Sequence, residues 1–302
     1  MINATRFTGL GVALATPFSA QDADTVDTAA FRALIRSVRS GGADFLVVLG
    51  STGEAATVRD EEREGIIRAA LEESGGLPVV VGVGHNATAR TVAMAKESAA
   101  LGVQGLLVVT PYYNKPQPAG LEAHYRAVAA AADGLPIIAY NVPGRTGLNL
   151  APDILARLWA IPQVIGVKES SGNLAQIGEI ARCLPPGKLL LSGDDALALP
   201  AIALGASGLV SVAGNAAPAQ LKALVSAALA GRRKEAQELH YRLLPLMDAL
   251  FAESNPAPLK AGLEELSLCS SLPRLPLAGA SEPTRQRVRK ALQELGLLGA
   301  SR

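Results

Sequence analysis

The sequence lacks several features that mark particular classes of protein. Charged residues make up only 18% of its 302 residues and the formal net charge is +1, so it has no basic excess for binding nucleic acid. No apolar run reaches the length of a membrane span, and the N-terminal MINATRFTG lacks the charged and apolar regions of a signal peptide. We therefore expect a compact cytoplasmic protein with no nucleic-acid partner and no membrane partner.

Cysteine and histidine are scarce as well. Cys183 and Cys269 are far apart in sequence and match no metal-ligand spacing, which favours two reduced thiols. The three histidines, His85, His124 and His240, are scattered, and only His85 follows an apolar run. The sequence thus predicts no metal site and no cofactor.

Hydrophobic residues, in contrast, make up 49% of the chain. Short apolar runs recur roughly every thirty residues, each followed by a loop and an alanine-rich amphipathic stretch. The runs are apolar throughout instead of alternating, as in strands buried on both faces of a parallel sheet. They are GVALAT, FLVVLG, PVVVGV, GLLVVT, PIIAYN, VIGVKE, LLLSGD and GLVSVA.

The amphipathic stretches predict a helix after each run. These helices are expected at 27–40, 59–74, 87–101, 120–132, 151–159, 173–183, 196–204 and 218–230. Eight such units fit a closed (β/α)8 TIM barrel, in the α/β class, better than an open doubly wound sheet. Further helices at 232–251, 258–266 and 282–295 predict a C-terminal helical appendage. We expect a catalytic barrel over 1–230 and a C-terminal helical region over 231–302.

Active sites of such barrels lie at the carboxyl ends of the strands, which selects among the reactive side chains. Of the lysines, only Lys168 in VIGVKESSGN ends an apolar run. An amine that is partly removed from water there is available as a nucleophile toward a carbonyl group. The alternative is a structural lysine paired with a neighbouring carboxylate such as Glu169.

Three tyrosines also follow predicted strands: Tyr112 and Tyr113 in TPYYNKP, and Tyr140 in IIAYNVPGRTG. Phenols beside an amine can relay protons, although a single tyrosine more often only packs under a loop. The turn GSTGEAATV adds the hydroxyls of Ser51 and Thr52 to the same rim. It lacks the lysine and spacing of a phosphate-binding loop, and for Glu54 the simplest expectation is support for the start of the next helix.

Two further groups have competing interpretations. Arg145 could bind a substrate carboxylate through two hydrogen bonds, or brace its loop by a salt bridge to Glu169 or Asp194. Asp194 and Asp195 in SGDDA could form a metal or acid–base pair. Adjacent residues after a strand more often cap the following helix, and we expect that role for them.

Taken together, GSTGE, TPYYNKP, YNVPGRTG, GVKESSGN and SGDD resemble the motifs of the class I pyruvate-dependent aldolase/lyase family, in this order and at these intervals. The resemblance extends from about residue 9 to 298 and includes NPAPLK and the closing VRKALQELGLL. YNVPGRTG with NPAPLK points to the members that condense pyruvate with L-aspartate 4-semialdehyde. Their product is 4-hydroxy-tetrahydrodipicolinate, in lysine and diaminopimelate biosynthesis.

The resemblance implies a role for each site residue. Lys168 forms the Schiff base with pyruvate, and the other catalytic groups, a proton relay, are Tyr140, Tyr113 and Ser51. The family usually has threonine at the position of Ser51. The residues that bind substrate are Thr52 and Val210 for pyruvate and Arg145 for the semialdehyde carboxylate. In the family the tyrosine at the position of Tyr113 enters the neighbouring subunit's site, which implies a homotetramer built as a dimer of dimers.

One departure concerns feedback inhibition. Family members inhibited by L-lysine carry two histidines and a glutamate in an effector pocket, where this chain has Asp60, Arg63 and Arg90. Asn86 and Tyr112 are kept. Because an arginine in place of a carboxylate repels a cationic effector, we expect weak or absent inhibition by L-lysine.

Two other functions stay open at this point. A related pyruvate-dependent aldolase, such as N-acetylneuraminate lyase or a 2-keto-3-deoxy sugar-acid aldolase, shares single motifs but does not require Arg145. A non-catalytic ligand-binding barrel would form no covalent adduct with pyruvate.

Overall fold

The strands form a closed parallel barrel. The structure, a computed structural model, describes residues 4–298, and within them eight strands pair in sequence order from β1 to β8, with β8 returning to β1. This confirms the predicted TIM barrel. The strands are β1 (Gly9–Ala13), β2 (Phe45–Val48), β3 (Val79–Gly82), β4 (Gly105–Val109), β5 (Ile137–Asn141), β6 (Val164–Glu169), β7 (Leu189–Ser192) and β8 (Gly208–Ser211).

Helices follow the strands close to their predicted bounds. They are α1 (Thr28–Ser40), α2 (Asp60–Glu73), α3 (Thr88–Ala100), α4 (Pro118–Ala131), α5 (Pro143–Thr146), α6 (Pro152–Trp159), α7 (Leu174–Cys183), α8 (Ala198–Ala203), α9 (Pro218–Leu229), α10 (Arg233–Leu250), α11 (Ala257–Glu265) and α12 (Glu282–Glu294). The short α5 was not predicted, because its four residues PGRT are too few for a periodic pattern. It matters for function because it carries Arg145.

Two hydrophobic clusters pack on either side of the strands. The smaller cluster includes Phe45 and Val47 of β2, and Ile138 and Tyr140 of β5. In each strand the single residue between the two belongs to the larger cluster. Such alternation places the smaller cluster inside the barrel and the larger one between strands and helices. The alternation therefore directs Tyr140 inward.

A register shift between β5 and β6 determines which residue lies beside Tyr140. Ile137 pairs with Val164, but Ile138 pairs with Gly166, so β6 has one extra residue at this point. In consequence Tyr140 pairs with Lys168 and not with Val167. Bulges of this kind re-aim side chains near functional sites, and this one places the lysine next to the inward tyrosine.

The C-terminal helices pack on the barrel helices and on one another. α10 contacts α9, and α12 contacts both α10 and α11. No helix within residues 4–298 is both long and apolar enough to cross a membrane. The two cysteines, Cys183 and Cys269, form no disulfide. The division into a barrel over 1–230 and a helical region over 231–302 stays a prediction.

Candidate active site

Lys168 is a buried cation beside an aromatic ring. Lys168 is 5% exposed, and its Nζ lies 4.3 Å from the centre of the Tyr140 ring. Among the described residues no carboxylate lies within salt-bridge distance of this amine, so the alternative of a pair with Glu169 is wrong. The Glu169 carboxylate instead accepts hydrogen bonds from Asn141 Nδ2 at 2.8 Å and from the Ser171 backbone at 2.7 Å.

Gly193 leaves the space that the lysine needs. A Cβ at this position would lie 2.7 Å from Lys168 Cε and 1.9 Å from Ser170 Oγ. Any side chain there would force the side chains of Lys168 and Ser170 to shift. This glycine lies in the SGDD motif, but the sequence alone does not indicate that it packs against Lys168.

The Tyr140 phenol is tuned by opposing influences. Burial would raise its pKa, but the positive charge of Lys168, a hydrogen bond with Ser51 and the positive charge of Arg145 outweigh burial and lower the pKa below its ordinary value. A phenol with a lowered pKa gives up its proton more readily. Tyr140 is therefore suited to exchange protons with groups bound near Lys168.

The turn after β2 presents Ser51 and Thr52 to different partners. The Ser51 side chain forms a hydrogen bond with Tyr140. Thr52 is 3% exposed, and its hydroxyl accepts a hydrogen bond of 3.0 Å from Asn255 Nδ2. Asn255 is also buried, and its Oδ1 has no hydrogen-bond partner among the described residues. Sequence reasoning missed Asn255 as a site residue. Its position in NPAPLK was the available signal.

Glu54 does not support the start of a helix, so that expectation is wrong. α2 begins only at Asp60, and Glu54 Oε1 lies 2.5 Å from Lys260 Nζ with both side chains at most 1% exposed. Its Oε2 accepts a hydrogen bond of 2.9 Å from the backbone of Arg274. The buried pair fastens the GSTGE turn to the C-terminal helices. The two charges are buried as a pair because an unpaired charge is costly in the low-dielectric interior.

Arg145 is exposed and free of salt bridges within residues 4–298. The alternative role for Arg145, a loop-bracing bridge to Glu169 or Asp194, is therefore absent from the described part of the chain. Its Nη2 donates a hydrogen bond of 3.0 Å to the backbone carbonyl of Asn255. The guanidinium retains donors for a substrate carboxylate.

Asp194 and Asp195 have separate roles. Asp194 Oδ1 accepts from the Ala196 backbone at 3.0 Å, in the turn that leads to α8. Asp195 is 1% exposed. The N-cap of α8 is Leu197 and no side chain caps the helix, so the expected capping role is wrong for both aspartates. Its carboxylate accepts from Ser211 Oγ and from the backbones of Val212 and Ala213, both at 3.0 Å. It fixes the chain after β8.

The remaining expected site residues lie in different surroundings. Val210 is 1% exposed and belongs to the same interior cluster as Tyr140. Tyr113 is 88% exposed, with a φ of 73°, and does not line the cavity beside Tyr140. A single chain thus brings together the predicted residues other than Tyr113. No group of three or more His, Cys, Asp or Glu residues in 4–298 is arranged to hold a metal ion.

A cavity of about 450 Å³ opens at this rim. Ser51, Tyr140, Arg145 and Asn255 line one part of it. The cavity continues between the N-terminal ends of α2 and α3, where its wall includes Asp60, Arg63, His85, Arg90, Met94 and Tyr112. Of the positions implied for an effector pocket, Asn86 does not line it. The expectation of weak inhibition by L-lysine stays a prediction.

A known protein family matches almost the whole chain. The profile of the Dihydrodipicolinate synthetase family matches residues 6–295. The chain belongs to this family. Membership agrees with the buried lysine, the neighbouring tyrosine and the hydroxyl-bearing turn that lie on one barrel rim. It also confirms the family resemblance inferred from the motifs.

Individual relatives agree with the assignment to the Dihydrodipicolinate synthetase family. A 4-hydroxy-tetrahydrodipicolinate synthase from Kosmotoga olearia is 43% identical over 296 residues, covering 97% of this chain and 99% of the relative. The crystal structure of dihydrodipicolinate synthase from Thermotoga maritima superimposes with a TM-score of 0.93 at 39% identity, covering 97% of this chain and 100% of the other. A monomeric dihydrodipicolinate synthase variant gives a TM-score of 0.94 at 39% identity, with coverage of 97% and 98%.

Proposed function

We propose that this protein is a lyase that condenses pyruvate with L-aspartate 4-semialdehyde to give 4-hydroxy-tetrahydrodipicolinate. The observation that carries the proposal is Lys168, a buried amine with no carboxylate partner in the described structure, held 4.3 Å from the Tyr140 ring in a chain of this family. The amine attacks the pyruvate carbonyl, and loss of water gives an imine. The imine acts as an electron sink, so the pyruvate methyl group becomes an enamine nucleophile.

The later steps regenerate the lysine. The enamine adds to the aldehyde carbon, the amino group of the second substrate then attacks the imine carbon, and the lysine leaves as the ring closes. Each proton transfer passes through hydroxyl groups of Tyr140, Ser51 and Tyr113. No step requires a cofactor or a metal.

Substrate binding is assigned to three residues. Thr52 holds the pyruvate carboxylate through its hydroxyl and backbone amide, and Val210 contacts pyruvate through its backbone. Arg145 binds the carboxylate of the semialdehyde. The contacts of Asn255 with both Thr52 and Arg145 support this arrangement, because one buried amide residue positions both carboxylate-binding groups.

The proposal includes assembly and location. Tyr113, exposed in the single chain, completes the site of a neighbouring subunit in a homotetramer built as a dimer of dimers. The protein acts in the cytoplasm, where both substrates are small soluble molecules. The barrel over 1–230 carries the chemistry, and the helical region over 231–302 supports it.

The exposed guanidinium of Arg145 favours this reaction over cleavage of a sugar acid, because a polyol chain does not demand a cation there. A coupled assay with pyruvate and L-aspartate 4-semialdehyde, run beside cleavage of N-acetylneuraminate and a 2-keto-3-deoxy acid, tests the choice. We expect turnover only in the condensation. Arg145→Gln should raise KM for the semialdehyde while KM for pyruvate stays near its wild-type value. Sugar-acid cleavage at a comparable kcat/KM would refute the proposal, as would the absence of all three activities.

A further inference from the structure

A buried hydroxyl group close to Lys168 is not used by the fold. The Ser170 side-chain oxygen is buried and has no hydrogen-bond partner within residues 4–298. Such a group gives up its hydrogen bonds to water on folding and gains none in return, which costs free energy. A buried polar group that the fold leaves unpaired is therefore a candidate for contact with a reacting molecule.

The backbone after β6 directs Ser170 to the same side as Lys168. β6 ends at Glu169, but the Ser170 N–H still donates a hydrogen bond of 2.8 Å to the carbonyl of Asn141 in β5, so the pairing continues for one more residue. Side chains two residues apart in an extended strand lie on the same face of the sheet. Lys168 and Ser170 therefore project together. Glu169, between them, projects to the other face, where it accepts a hydrogen bond from Asn141 Nδ2.

The two side chains converge in front of Gly193. The place that a Cβ of Gly193 would occupy lies 1.9 Å from Ser170 Oγ and 2.7 Å from Lys168 Cε, so the hydroxyl is close to the carbon that carries the amine. The amine itself lies 4.3 Å from the centre of the Tyr140 ring. The hydroxyl, the amine and the phenol are thus neighbours.

Ser170 also lies near the Tyr140 phenol oxygen. Burial raises the pKa of Tyr140, but four groups together lower it, Lys168 the most and Ser170 the least. The contact between the two hydroxyls does not have the geometry of a hydrogen bond, which leaves the donor and the acceptor of Ser170 available. An oxygen atom bound next to the amine can therefore contact Ser170 and Tyr140 together.

Formation of the imine requires such an oxygen to leave. The Lys168 amine forms a bond to the carbonyl carbon of pyruvate, and a proton moves from nitrogen to oxygen to give a carbinolamine. The C–O bond then breaks. The departing hydroxyl takes a second proton, from Tyr140, and leaves as water, while the nitrogen lone pair forms the C=N bond of the protonated imine. A donor that holds this hydroxyl toward Tyr140 makes its departure easier.

We propose that Ser170 is a further catalytic residue, whose hydroxyl forms a hydrogen bond with the carbinolamine oxygen on Lys168 and holds that oxygen toward Tyr140. The inference rests on the proposed lyase function and adds one hydroxyl to its proton relay. It also gives the unpaired hydroxyl of Ser170 a partner, which arrives with pyruvate.

The test is the rate at which the full-length protein forms the pyruvate imine, with no second substrate present. The protein is mixed with pyruvate, borohydride is added after set times, and mass spectrometry measures the fraction of chains that carry the reduced adduct. The variants are Ser170→Ala and Ser170→Cys, whose thiol fills the space but is a weak hydrogen-bonding group. Ser171→Ala is the matched control, because the Ser171 hydroxyl accepts a hydrogen bond of 3.1 Å from the backbone of Asn173 instead.

We expect Ser170→Ala to slow imine formation by about 10-fold, as for loss of one hydrogen bond to the reacting group. Ser170→Cys should be slowed to a similar extent, whereas Ser171→Ala should stay within about twofold of wild type. Urea denaturation supplies a second readout. Since no residue of the described chain bonds to the Ser170 hydroxyl, Ser170→Ala should unfold at the same urea concentration as wild type or a higher one.

Three results would overturn the inference and leave the lyase function in place. These are imine formation at the wild-type rate in Ser170→Ala, full recovery of the rate in Ser170→Cys, and unfolding of Ser170→Ala at a lower urea concentration than wild type. The second would show that packing matters and hydrogen bonding does not, and the third that the fold uses the hydroxyl. Absence of any pyruvate adduct in wild type would instead contradict the proposed function, and the inference with it.

Discussion

Two adjacent side chains, Lys168 and Tyr140, set the chemistry at the residue scale. The amine lies over the phenol ring, and its charge is the largest of the influences that lower the pKa of Tyr140 against the effect of burial. The amine thus prepares the phenol for proton exchange. The phenol can accept and return protons, while the amine stays close to the carbonyl that it attacks.

This coupling can be read from phenolate absorbance during alkaline titration. The difference between wild type and Tyr140→Phe isolates one tyrosine, and we expect it to ionise below the ordinary pKa of about 10. Lys168→Met should move that ionisation to higher pH, because the opposing positive charge is gone while burial remains. Tyr125 will not interfere, since burial raises its pKa. An unchanged midpoint in Lys168→Met would show that the two groups are not coupled.

Ser51 offers a second test at this scale. Ser51→Ala removes the hydroxyl bonded to Tyr140, and we expect kcat to fall by about 100-fold, as for loss of one proton-transfer group. Ser51→Thr keeps the hydroxyl and adds only a methyl group, so kcat should stay near the wild-type value. Steady-state kinetics with saturating pyruvate measures both. Equal kcat in wild type and Ser51→Ala would remove Ser51 from the relay.

At the scale of elements, two features position the site. The extra residue in β6 brings Lys168 into register with Tyr140, and the Glu54–Lys260 pair fastens the GSTGE turn to α11. Neither was foreseen. A bulge leaves no mark in an apolar run such as VIGVKE, and an ion pair between residues so distant in sequence requires the folded chain.

The ion pair makes a quantitative prediction. Lys260→Met leaves the Glu54 carboxylate buried without its cation, and we expect a loss of roughly 3–5 kcal/mol in the free energy of unfolding. Lys290→Met is the matched control, because Lys290 is 76% exposed and lies 3.8 Å from Glu294. That change should cost less than about 1 kcal/mol. Urea denaturation measures both. Similar losses in the two variants would contradict the structural role of the pair.

At the scale of the whole molecule, the fold was predictable and parts of the site were not. Continuous apolar runs separated by amphipathic helices require a parallel sheet covered on both faces, and eight repeats close it. Because active sites of such barrels lie at the carboxyl ends of the strands, the sequence also indicated Lys168 and Tyr140. Asn255 could not be predicted in this way, because it lies in the C-terminal region, after the last barrel strand. Its contacts with Thr52 and Arg145 exist only once the chain has folded.

Assembly is the other question at this scale, and Tyr113 provides the test. If its phenol serves a neighbouring site, mixed dimers of Lys168→Ala and Tyr113→Phe subunits regain one complete site. Random co-assembly should then restore about a quarter of wild-type activity, since half of the dimers are mixed and each holds one intact site. Each variant alone should be much less active. Absence of recovery in verified mixed oligomers would place Tyr113 outside the neighbouring site.

The central claim is that Lys168 forms an imine with pyruvate, and reductive trapping tests it most directly. Borohydride added with pyruvate should give one covalent adduct per chain, and peptide mass mapping should place it on Lys168. Lys168→Ala, and wild type without pyruvate, should give no adduct. An adduct on another lysine such as Lys260, or turnover of pyruvate by Lys168→Ala, would contradict the account.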